Sequence, residues 1–357
     1  MPEANFDQAK AEAFSGRLLD VLNNGGLALM ISIGHRTGLF DAMSEFPPAT
    51  SKEIAQKAGL NERYVREWLG AMVTGRIVNY DPTTGKYGLP AEHAAFTTRP
   101  AGADNIAVFA QYISVLGNVE DEIVECFRKG GGVPYSKFPR FHTVMAEDSG
   151  QSVLANLESA VLPVVPGMID RLKQGIKVLD VGCGSGRALN LMARLYPQSH
   201  FTGYDFSVEA ITRATEEAQQ HGSKNIEFHV FDVTMLDAHE QFDFITAFDA
   251  IHDQAKPLEV LKGIHRALKP DGVFLMQDIS GTSHVDQDTK HPIGPLLYNI
   301  SGMHCMTVSL ALGGEGLGAM WGVEKAEEYL RKAGFTQVDI KNLPHDFQNS
   351  YFIVRKN

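Results

Sequence analysis

Short apolar runs alternate with longer mixed stretches through the second half of the chain. Runs of strand length, each containing an acidic residue near its end or directly followed by one, cover residues 178–181, 200–205, 226–231, 242–248 and 273–278. Helices are predicted after the first and fourth of these runs. Strands that alternate with helices indicate parallel pairing, so this pattern predicts an α/β domain with a Rossmann-like sheet over residues 166–357.

The first hundred residues follow a different, mainly helical pattern. Ser51 as an N-cap and Gly59 as a stop predict one short helix, and Asn61 caps a second, amphipathic helix. A β-hairpin is then predicted by two short runs on either side of a turn, at residues 77–80 and 86–89. The order helix, turn, helix, hairpin predicts a winged helix within a domain of residues 1–100.

Three further stretches complete the predicted organisation. The apolar run at 27–33 predicts a buried helix, because it is far shorter than the roughly 20 residues that span a bilayer. Residues 101–165 are predicted to be a mostly helical connector that is interrupted by glycines and a proline at 129–134. The polar start, residues 1–10, has no signal-peptide pattern.

The loop after the first predicted strand carries the most specific motif of the chain. Gly182, Gly184 and Gly186 stand at alternate positions, which gives the spacing G-x-G-x-G. Glycines leave no side chains there, so the backbone can approach a bound ligand closely. The dinucleotide pattern G-x-G-x-x-G needs a glycine where Arg187 stands. The spacing therefore argues against a nicotinamide dinucleotide, which stays the alternative ligand of this loop.

Acidic residues follow the successive predicted strands. An acid at the end of the second strand holds the ribose hydroxyls in Rossmann-type domains, and Asp205 lies there, 25 positions after Asp180. Phe206 beside it can cover an adenine ring. No Gly-Lys-Ser/Thr sequence follows the glycine loop, which argues against a P-loop. The acids and the absence of this phosphate motif predict a nucleoside site that suits a cationic ligand.

Asp180, the glycine loop and the strand-end acids together resemble the class I S-adenosylmethionine methyltransferases. The winged helix resembles the N-terminal dimerisation domain of small-molecule O-methyltransferases and of bacterial winged-helix methyltransferases. The resemblance implies a seven-stranded sheet and S-adenosylmethionine as the cofactor. By this resemblance, Asp180 and the glycines would bind the methionine part of the cofactor. Asp205 would bind the ribose, and Asp232 would bind the adenine. The implied cofactor-binding residues are Asp180, Gly182, Gly184, Gly186, Asp205, Phe206, Asp232, Val233 and Phe248.

The resemblance also implies a general base. In the resembling O-methyltransferases a histidine after the fourth strand deprotonates the acceptor hydroxyl, and a carboxylate at the end of the fifth strand orients it. These positions are His252 and Asp278 here. A second carboxylate of their catalytic group falls near Trp321, where no matching acid stands, so a nitrogen or carbon acceptor stays open. His304, in the segment before the last helix, is a second candidate base.

Composition and charge narrow the function further. The chain has 357 residues and a net charge of −11, and its first hundred residues carry ten Lys and Arg against eleven Asp and Glu. Nucleic-acid binding needs a clustered positive surface, so the winged helix is expected to serve dimer contacts and wall a substrate site. Three cysteines without metal spacing predict free thiols and a cytoplasmic protein. We expect no metal site, although Asp249, Asp253 and Asp278 could supply carboxylates.

The sequence thus predicts an S-adenosylmethionine-dependent methyltransferase that acts on a small-molecule acceptor, with a hydroxyl oxygen as the expected methyl acceptor. A homodimer through the N-terminal domain is expected, with no membrane or nucleic-acid partner. Residues 281–322 are predicted to form a lid over the acceptor, with a glycine-rich hinge at 313–318. The alternative is an S-adenosylmethionine-responsive transcriptional regulator or sensor that binds the ligand without turnover.

Overall fold

The structure is a computed structural model that describes residues 6–356, so the first five residues of the predicted polar start lie outside the described residues. The chain divides into two compact units, residues 1–114 and 115–357. The boundary falls within one helix, Ala110–Gly117. Among the described residues, no helix combines the length and apolarity that crossing a membrane requires.

The N-terminal unit contains the predicted winged helix. Thr50, not Ser51, caps the first helix of the motif, because the Thr50 side chain and Glu53 form a capping box. Asn61 caps the second helix as predicted. The elements of this unit are α1 (Gln8–Thr37), α2 (Leu39–Ser44), α3 (Ser51–Ala58), α4 (Glu62–Thr74), β1 (Asn79–Asp81), β2 (Lys86–Gly88) and α5 (Ala91–Thr97), followed by α6 (Ala110–Gly117) at the boundary.

Helix α4 packs its apolar face into the core of this unit. Val65, Trp68, Leu69 and Met72 recur at helical spacing and are all buried, as such a pattern predicts. The Trp68 indole donates a hydrogen bond of 2.8 Å to the carbonyl of Met30. On the outer face of α4, basic residues are paired with acids of the same helix: Arg63 with Glu67 and Arg66 with Glu62.

Helix α1 differs from the sequence prediction in its burial. The run 27–33 is helical as predicted, but it is part of a 30-residue helix and is not fully buried, since Leu29 and Ile33 are 43% and 44% exposed. The exposed apolar residues of α1 continue toward its N-terminus, and most recur at intervals of four or seven. They are Phe14, Leu18, Leu19, Val21, Leu22, Leu29 and Ile33.

The second unit is built around a sheet of seven strands. The strands are β3 (Lys177–Val181), β4 (His200–Asp205), β5 (Ile226–Val230), β6 (Phe242–Phe248), β7 (Leu268–Ile279), β8 (Gln337–Leu343) and β9 (Asp346–Arg355). The α-helices are α7 (Glu120–Lys129), α8 (Phe141–Ser152), α9 (Met168–Gln174), α10 (Arg187–Leu195), α11 (Val208–Gln220), α12 (Pro257–Ala267), α13 (Val285–Asp288), α14 (Gly294–Ile300), α15 (Met306–Ala311) and α16 (Val323–Lys332).

Shorter helical turns connect these elements. The 3₁₀ segments are Arg99–Asp104, Ile106–Phe109, Tyr135–Lys137, Leu154–Asn156, Leu162–Val164, Val233–Met235 and Ala319–Trp321. Two single-turn π-helices are Leu157–Val161 and Ser301–Cys305. Such π turns are frequent at functional sites, and the second of them carries His304.

The strand order is β5-β4-β3-β6-β7-β9-β8. Strands β3 to β7 pair in parallel, and β9 pairs antiparallel with both β7 and β8. The chain therefore winds outward from β3 to β5 and then returns to β6 on the other side of β3. Ligands of such sheets bind outside the carboxyl ends of the strands at this reversal. The predicted fold class, a Rossmann-like seven-stranded sheet preceded by a mainly helical winged-helix domain, is confirmed.

Apolar layers cover both faces of the sheet. One buried cluster packs β6 and β7 against α12 and α16, and the other packs β3 and β4 against α9 and α10. The central strands are nearly continuous apolar runs because both faces are covered. Polar side chains are thereby left to the strand ends, where Asp180, Asp205 and Asp278 lie buried.

The predicted hinge at 313–318 is tied to neighbouring segments. The Ser309 hydroxyl donates to the carbonyl of Gln254 and accepts from the Gly316 N–H, and the Glu315 N–H donates to the carbonyl of Ala255. At Gly318, with φ of +74°, a Cβ would stand 2.4 Å from the Ser301 hydroxyl. These glycines permit close packing in the structure, and the closing motion of the lid stays a prediction.

Candidate active site

The glycine loop between β3 and α10 has the geometry of a ligand cradle. Gly182, Gly184 and Gly186 all have left-handed backbones, with φ of +70°, +52° and +68°. A Cβ at Gly182 would stand 2.4 Å from Ala250, and one at Gly186 would stand 2.5 Å from Phe228, so both positions require glycine. Gly184 faces open space. The loop therefore has free room in front of its middle residue, where a ligand can approach the backbone.

Asp180 lies buried as the second-last residue of β3, and Val181 alone separates it from Gly182. One carboxylate oxygen accepts a hydrogen bond of 2.7 Å from the Thr246 hydroxyl. Burial raises the pKa of Asp180 to about 7, against the hydrogen bond from Thr246, which lowers it. The hydrogen bond from Thr246 thus compensates the burial of the ionised carboxylate only in part, and a cationic group nearby would stabilise it.

Asp205 is the last residue of β4, and its carboxylate connects this strand to the glycine loop. Its Oδ2 accepts from the Gly184 N–H at 2.9 Å, and its Oδ1 accepts from the Ser207 N–H at 2.8 Å. Burial raises the pKa of Asp205, while the two backbone hydrogen bonds and the nearby His142 oppose this shift. The carboxylate therefore lies beside the loop, as its expected role toward a ribose requires.

The remaining predicted cofactor residues lie at the same edge of the sheet. Phe206 is half exposed, and its ring centroid is 5.8 Å from that of Tyr135. Asp232 is exposed and caps the 3₁₀ turn that begins at the buried Val233. Phe248 is the last residue of β6 and is partly buried. They come from the ends of β4, β5 and β6, so these strand ends share one carboxyl edge.

His252, in the loop after β6, and Asp278, near the end of β7, are in direct contact. The His252 Nδ1 lies 2.8 Å from Asp278 Oδ1, and both side chains are buried. Burial alone would lower the pKa of His252, but Asp278 and Cys305 beside it raise the pKa well above its usual range. A cationic ligand at the neighbouring loop would oppose that rise, because like charges disfavour the protonated imidazole.

Trp321, near which the sequence resemblance implies a second carboxylate, contacts Asp278 instead. Its indole N–H donates a hydrogen bond of 3.1 Å to Asp278 Oδ1, which also accepts from the Ile279 N–H at 2.8 Å. Asp278 Oδ1 is thus held by three donors once His252 is included. Trp321 therefore fixes the carboxylate that orients His252, a contact that sequence reasoning missed.

Two further acids lie near His252. Asp249 has a left-handed backbone with φ of +50° and accepts a hydrogen bond from the Gln277 side chain at 3.0 Å. Burial and the neighbouring Asp278 raise the pKa of Asp249 well above its usual range. Burial also raises the pKa of Asp253 to about 6. Acidic groups therefore dominate this part of the site.

An aromatic cluster encloses the second candidate base, His304. Its ring stacks on Phe141 at 3.4 Å between centroids, and Tyr135 and Phe138 meet it edge-on. Both ring nitrogens are buried without a hydrogen-bond partner among the described residues. Burial, reinforced by His252 and His142, lowers the pKa of His304 well below its usual range. The ring is therefore held neutral, and within the described part of the chain no carboxylate orients it as a base.

Tyr135 and His142 connect this aromatic cluster to the loop beside Asp205. The Tyr135 hydroxyl lies 3.4 Å from His142 Nδ1, and His142 Nε2 lies 3.4 Å from the Ser207 hydroxyl. Both residues come from the connector that the sequence left without a functional assignment. Only an aromatic-rich stretch, residues 135–142, marks this segment in the sequence.

Two protein families match the chain in the order that the fold indicates. Residues 25–99 match the Rv2258c-like winged HTH domain, and residues 172–317 match a methyltransferase domain. The first range contains the winged helix, and the second contains the glycine loop, the strand-end acids and most of the predicted lid.

Curated relatives align with part of the chain. The ubiquinone biosynthesis O-methyltransferase of Actinobacillus pleuropneumoniae is 35% identical over 114 residues, which are 30% of this chain and 47% of that protein. Phosphoethanolamine N-methyltransferase 1 of Triticum aestivum is 40% identical over 109 residues, 30% of this chain and 21% of that protein. The chain thus spans less than half the length of these relatives.

Solved structures resemble the chain over nearly its whole length. Human N-acetylserotonin methyltransferase, solved in complex with S-adenosylmethionine, has a TM-score of 0.69 at 19% identity and covers 99% of each chain. Mitomycin 7-O-methyltransferase has a TM-score of 0.72 at 16% identity and covers 98% of this chain and 100% of its own. At these identities the likeness establishes the fold.

The matched domains define the class of this protein. It combines an N-terminal winged helix-turn-helix domain with a methyltransferase domain, as the sequence resemblance implied. The match of residues 172–317 to a methyltransferase domain agrees with the predicted enzyme class, and the fold is shared with a methyltransferase solved in complex with S-adenosylmethionine.

Proposed function

We propose that this protein transfers a methyl group from S-adenosylmethionine to a hydroxyl oxygen of a small molecule. The observation that carries the proposal is the contact of His252 with Asp278, 2.8 Å apart, at the same sheet edge as the glycine loop. When bound, S-adenosylmethionine supplies a methyl carbon activated by a positively charged sulfur. The chain's own residues hold that cofactor, exclude water and take a proton from the acceptor.

The cofactor half of the site supports a cationic nucleoside. Gly184 leaves open space for the methionine part, and the buried Asp180 offers a carboxylate to its ammonium group. Asp205 can accept from the ribose hydroxyls, and Asp232 with the N–H of Val233 would bind the adenine edge. Phe206 is exposed enough to cover the adenine face, and Phe248, the last residue of β6, would line the same site.

The acceptor half of the site requires a proton acceptor. Asp278 fixes the imidazole through Nδ1, which leaves the other ring nitrogen to take the hydroxyl proton. Asp278 is itself fixed by Trp321 and the Ile279 N–H. Where the resemblance implies a second acid, near Trp321, this chain has an indole donor, which would keep the orientation of the base.

The proposed cofactor is tested by calorimetric titration of the purified protein with S-adenosylhomocysteine, with NADH titrated in parallel. We expect S-adenosylhomocysteine to bind at pH 8 about tenfold more tightly than at pH 6, because its ammonium group favours ionised Asp180, whose pKa is about 7. Below this pKa the carboxyl group must first release a proton, so the affinity falls as the pH falls.

Asp180→Asn is the matched control for this titration. The amide keeps an oxygen for the Thr246 hydroxyl but has no charge to titrate, so its affinity should be weaker and nearly independent of pH. Heat with NADH and none with S-adenosylhomocysteine would contradict the proposed cofactor. An unchanged pH dependence in Asp180→Asn would instead remove Asp180 from the methionine site.

A homodimer through the N-terminal unit is part of the proposal. Helix α1 exposes an extended apolar face, and apolar surfaces of this kind mark protein interfaces. The face carries Phe14, Leu18, Leu22, Leu29 and Ile33. The paired arginines of α4 offer little free positive charge to a nucleic acid. We therefore expect light scattering to give twice the 39.1 kDa chain mass, and the double variant Leu18→Glu and Leu22→Glu to give the chain mass. A dimer that survives this change would have another interface. A cytoplasmic location stays a prediction from the sequence.

A further inference from the structure

Three side chains near the proposed base have the arrangement of metal ligands. One ligand atom from each of Asp249, His252 and Asp278 lies within 4.8 Å of the other two. They come from the loop after β6 and from the end of β7, so two adjacent strands fix them. Zinc bonds to nitrogen and oxygen are roughly 2.0–2.2 Å long, so the three side chains would draw together around a single ion.

Two carboxylate oxygens of this group have no partner. Asp249 Oδ1 and Asp278 Oδ2 are both buried, and neither finds a hydrogen-bond donor among residues 6–356. The Asp278 side chain is fully buried, and its other oxygen already accepts from three donors. A buried charged oxygen without a partner is costly, so such oxygens mark a bound proton or a bound cation.

The charge and the donor types select the cation. Two carboxylates with a neutral imidazole carry a charge of −2, which one divalent ion balances. Imidazole nitrogen favours zinc and its neighbours over magnesium and calcium, which prefer oxygen alone.

We propose that Asp249, His252 and Asp278 bind a divalent ion of the zinc type, with one coordination position open. This inference rests on the proposed function in one respect only, the consequence for the base. A neutral imidazole has a single free lone pair, so a metal-bound His252 cannot take a proton from the acceptor. Metal binding and base catalysis at His252 exclude each other, and zinc is an inhibitor of methyl transfer.

The test is calorimetric titration of the chelator-treated full-length protein with zinc chloride at pH 7.5, with magnesium chloride as the comparison. We expect one zinc ion to bind per chain and magnesium to bind at least about 100-fold more weakly. Asp249→Asn and Asp278→Asn are nearly isosteric and should each lower the zinc affinity by roughly 10–100-fold. Asp253→Asn, next to His252 but outside the group, should bind zinc like the unchanged protein.

Thermal melting of each variant separates lost metal binding from lost folding. Absence of zinc binding, or zinc binding that both Asp249→Asn and Asp278→Asn retain, would overturn the proposal and leave a proton as the partner of the two oxygens. Equal affinity for magnesium would overturn the choice of ion. Because the readout is metal binding, a failure of the proposed methyl transfer would show separately, as absent S-adenosylhomocysteine binding in the same preparations.

Discussion

Replacing His252 with alanine is expected to slow methyl transfer by about 10²-fold or more while leaving the affinity for S-adenosylhomocysteine nearly unchanged. Proton removal by a positioned base contributes rate factors of this size. His252 contacts Asp278 and is not among the residues proposed to hold the cofactor, so its loss removes the proposed base and spares the cofactor groups. The measurement is transfer of labelled methyl from S-adenosylmethionine to acceptors found by screening phenols, carboxylic acids and amines.

Asp278→Asn and His239→Ala make the result for His252 interpretable. Asp278→Asn keeps the shape of the side chain but removes the charge that orients and stabilises the imidazole, so it should also slow transfer. His239 is an exposed histidine paired with Asp237, and its replacement should change nothing. Full activity of the His252→Ala protein would show that another group takes the proton, or that the acceptor needs no base.

Replacing Asp205 with alanine is expected to weaken S-adenosylhomocysteine binding by about 1–3 kcal/mol, the cost of leaving buried polar groups without partners. Two effects add in the same direction. The ribose hydroxyls would lose their acceptor, and the N–H groups of Gly184 and Ser207 would lose theirs. Calorimetry with S-adenosylhomocysteine measures the change directly.

Asp205→Asn separates the two effects, because an amide oxygen can still accept from one of the backbone N–H groups. Its loss of affinity should be smaller than that of the alanine variant. Asp237→Ala removes an exposed carboxylate and should leave binding unchanged. An unaltered affinity in Asp205→Ala, with a normal melting temperature, would refute the proposed role of Asp205 at the ribose.

The strand-end residues could be predicted from the sequence because each lies next to a recognisable strand. Asp180, Asp205 and Asp278 follow or end apolar runs of strand length, and parallel strands bring such ends to one edge. The contact between His252 and Asp278 was implied by the family resemblance, and the pairing of β6 with β7 brings the two residues together. The positions of these strand-end acids in the structure therefore agree with the local sequence pattern.

The residues that the sequence did not reveal reach the site from irregular segments. Trp321 lies 43 positions from Asp278 in a 3₁₀ turn, and its indole bond to that carboxylate has no local signal. Phe141 and His304 stack across 163 positions of chain. The burial of α1 was wrongly predicted for a related reason. An apolar run shows that burying the segment is favourable, but it does not show whether residues of the same chain pack against it.

The hydrogen bond from Gly184 to Asp205 has a consequence for how a ligand is captured. It connects the glycine loop to β4 before any ligand binds, so the conformational entropy of the loop is lost during folding and not during binding. Capture should therefore proceed without an isomerisation step, at a rate proportional to ligand concentration in stopped-flow experiments. If Asp205 binds the ribose as proposed, this one residue would determine both the rigidity of the loop before binding and the affinity for the nucleoside, so a single codon change would alter two properties.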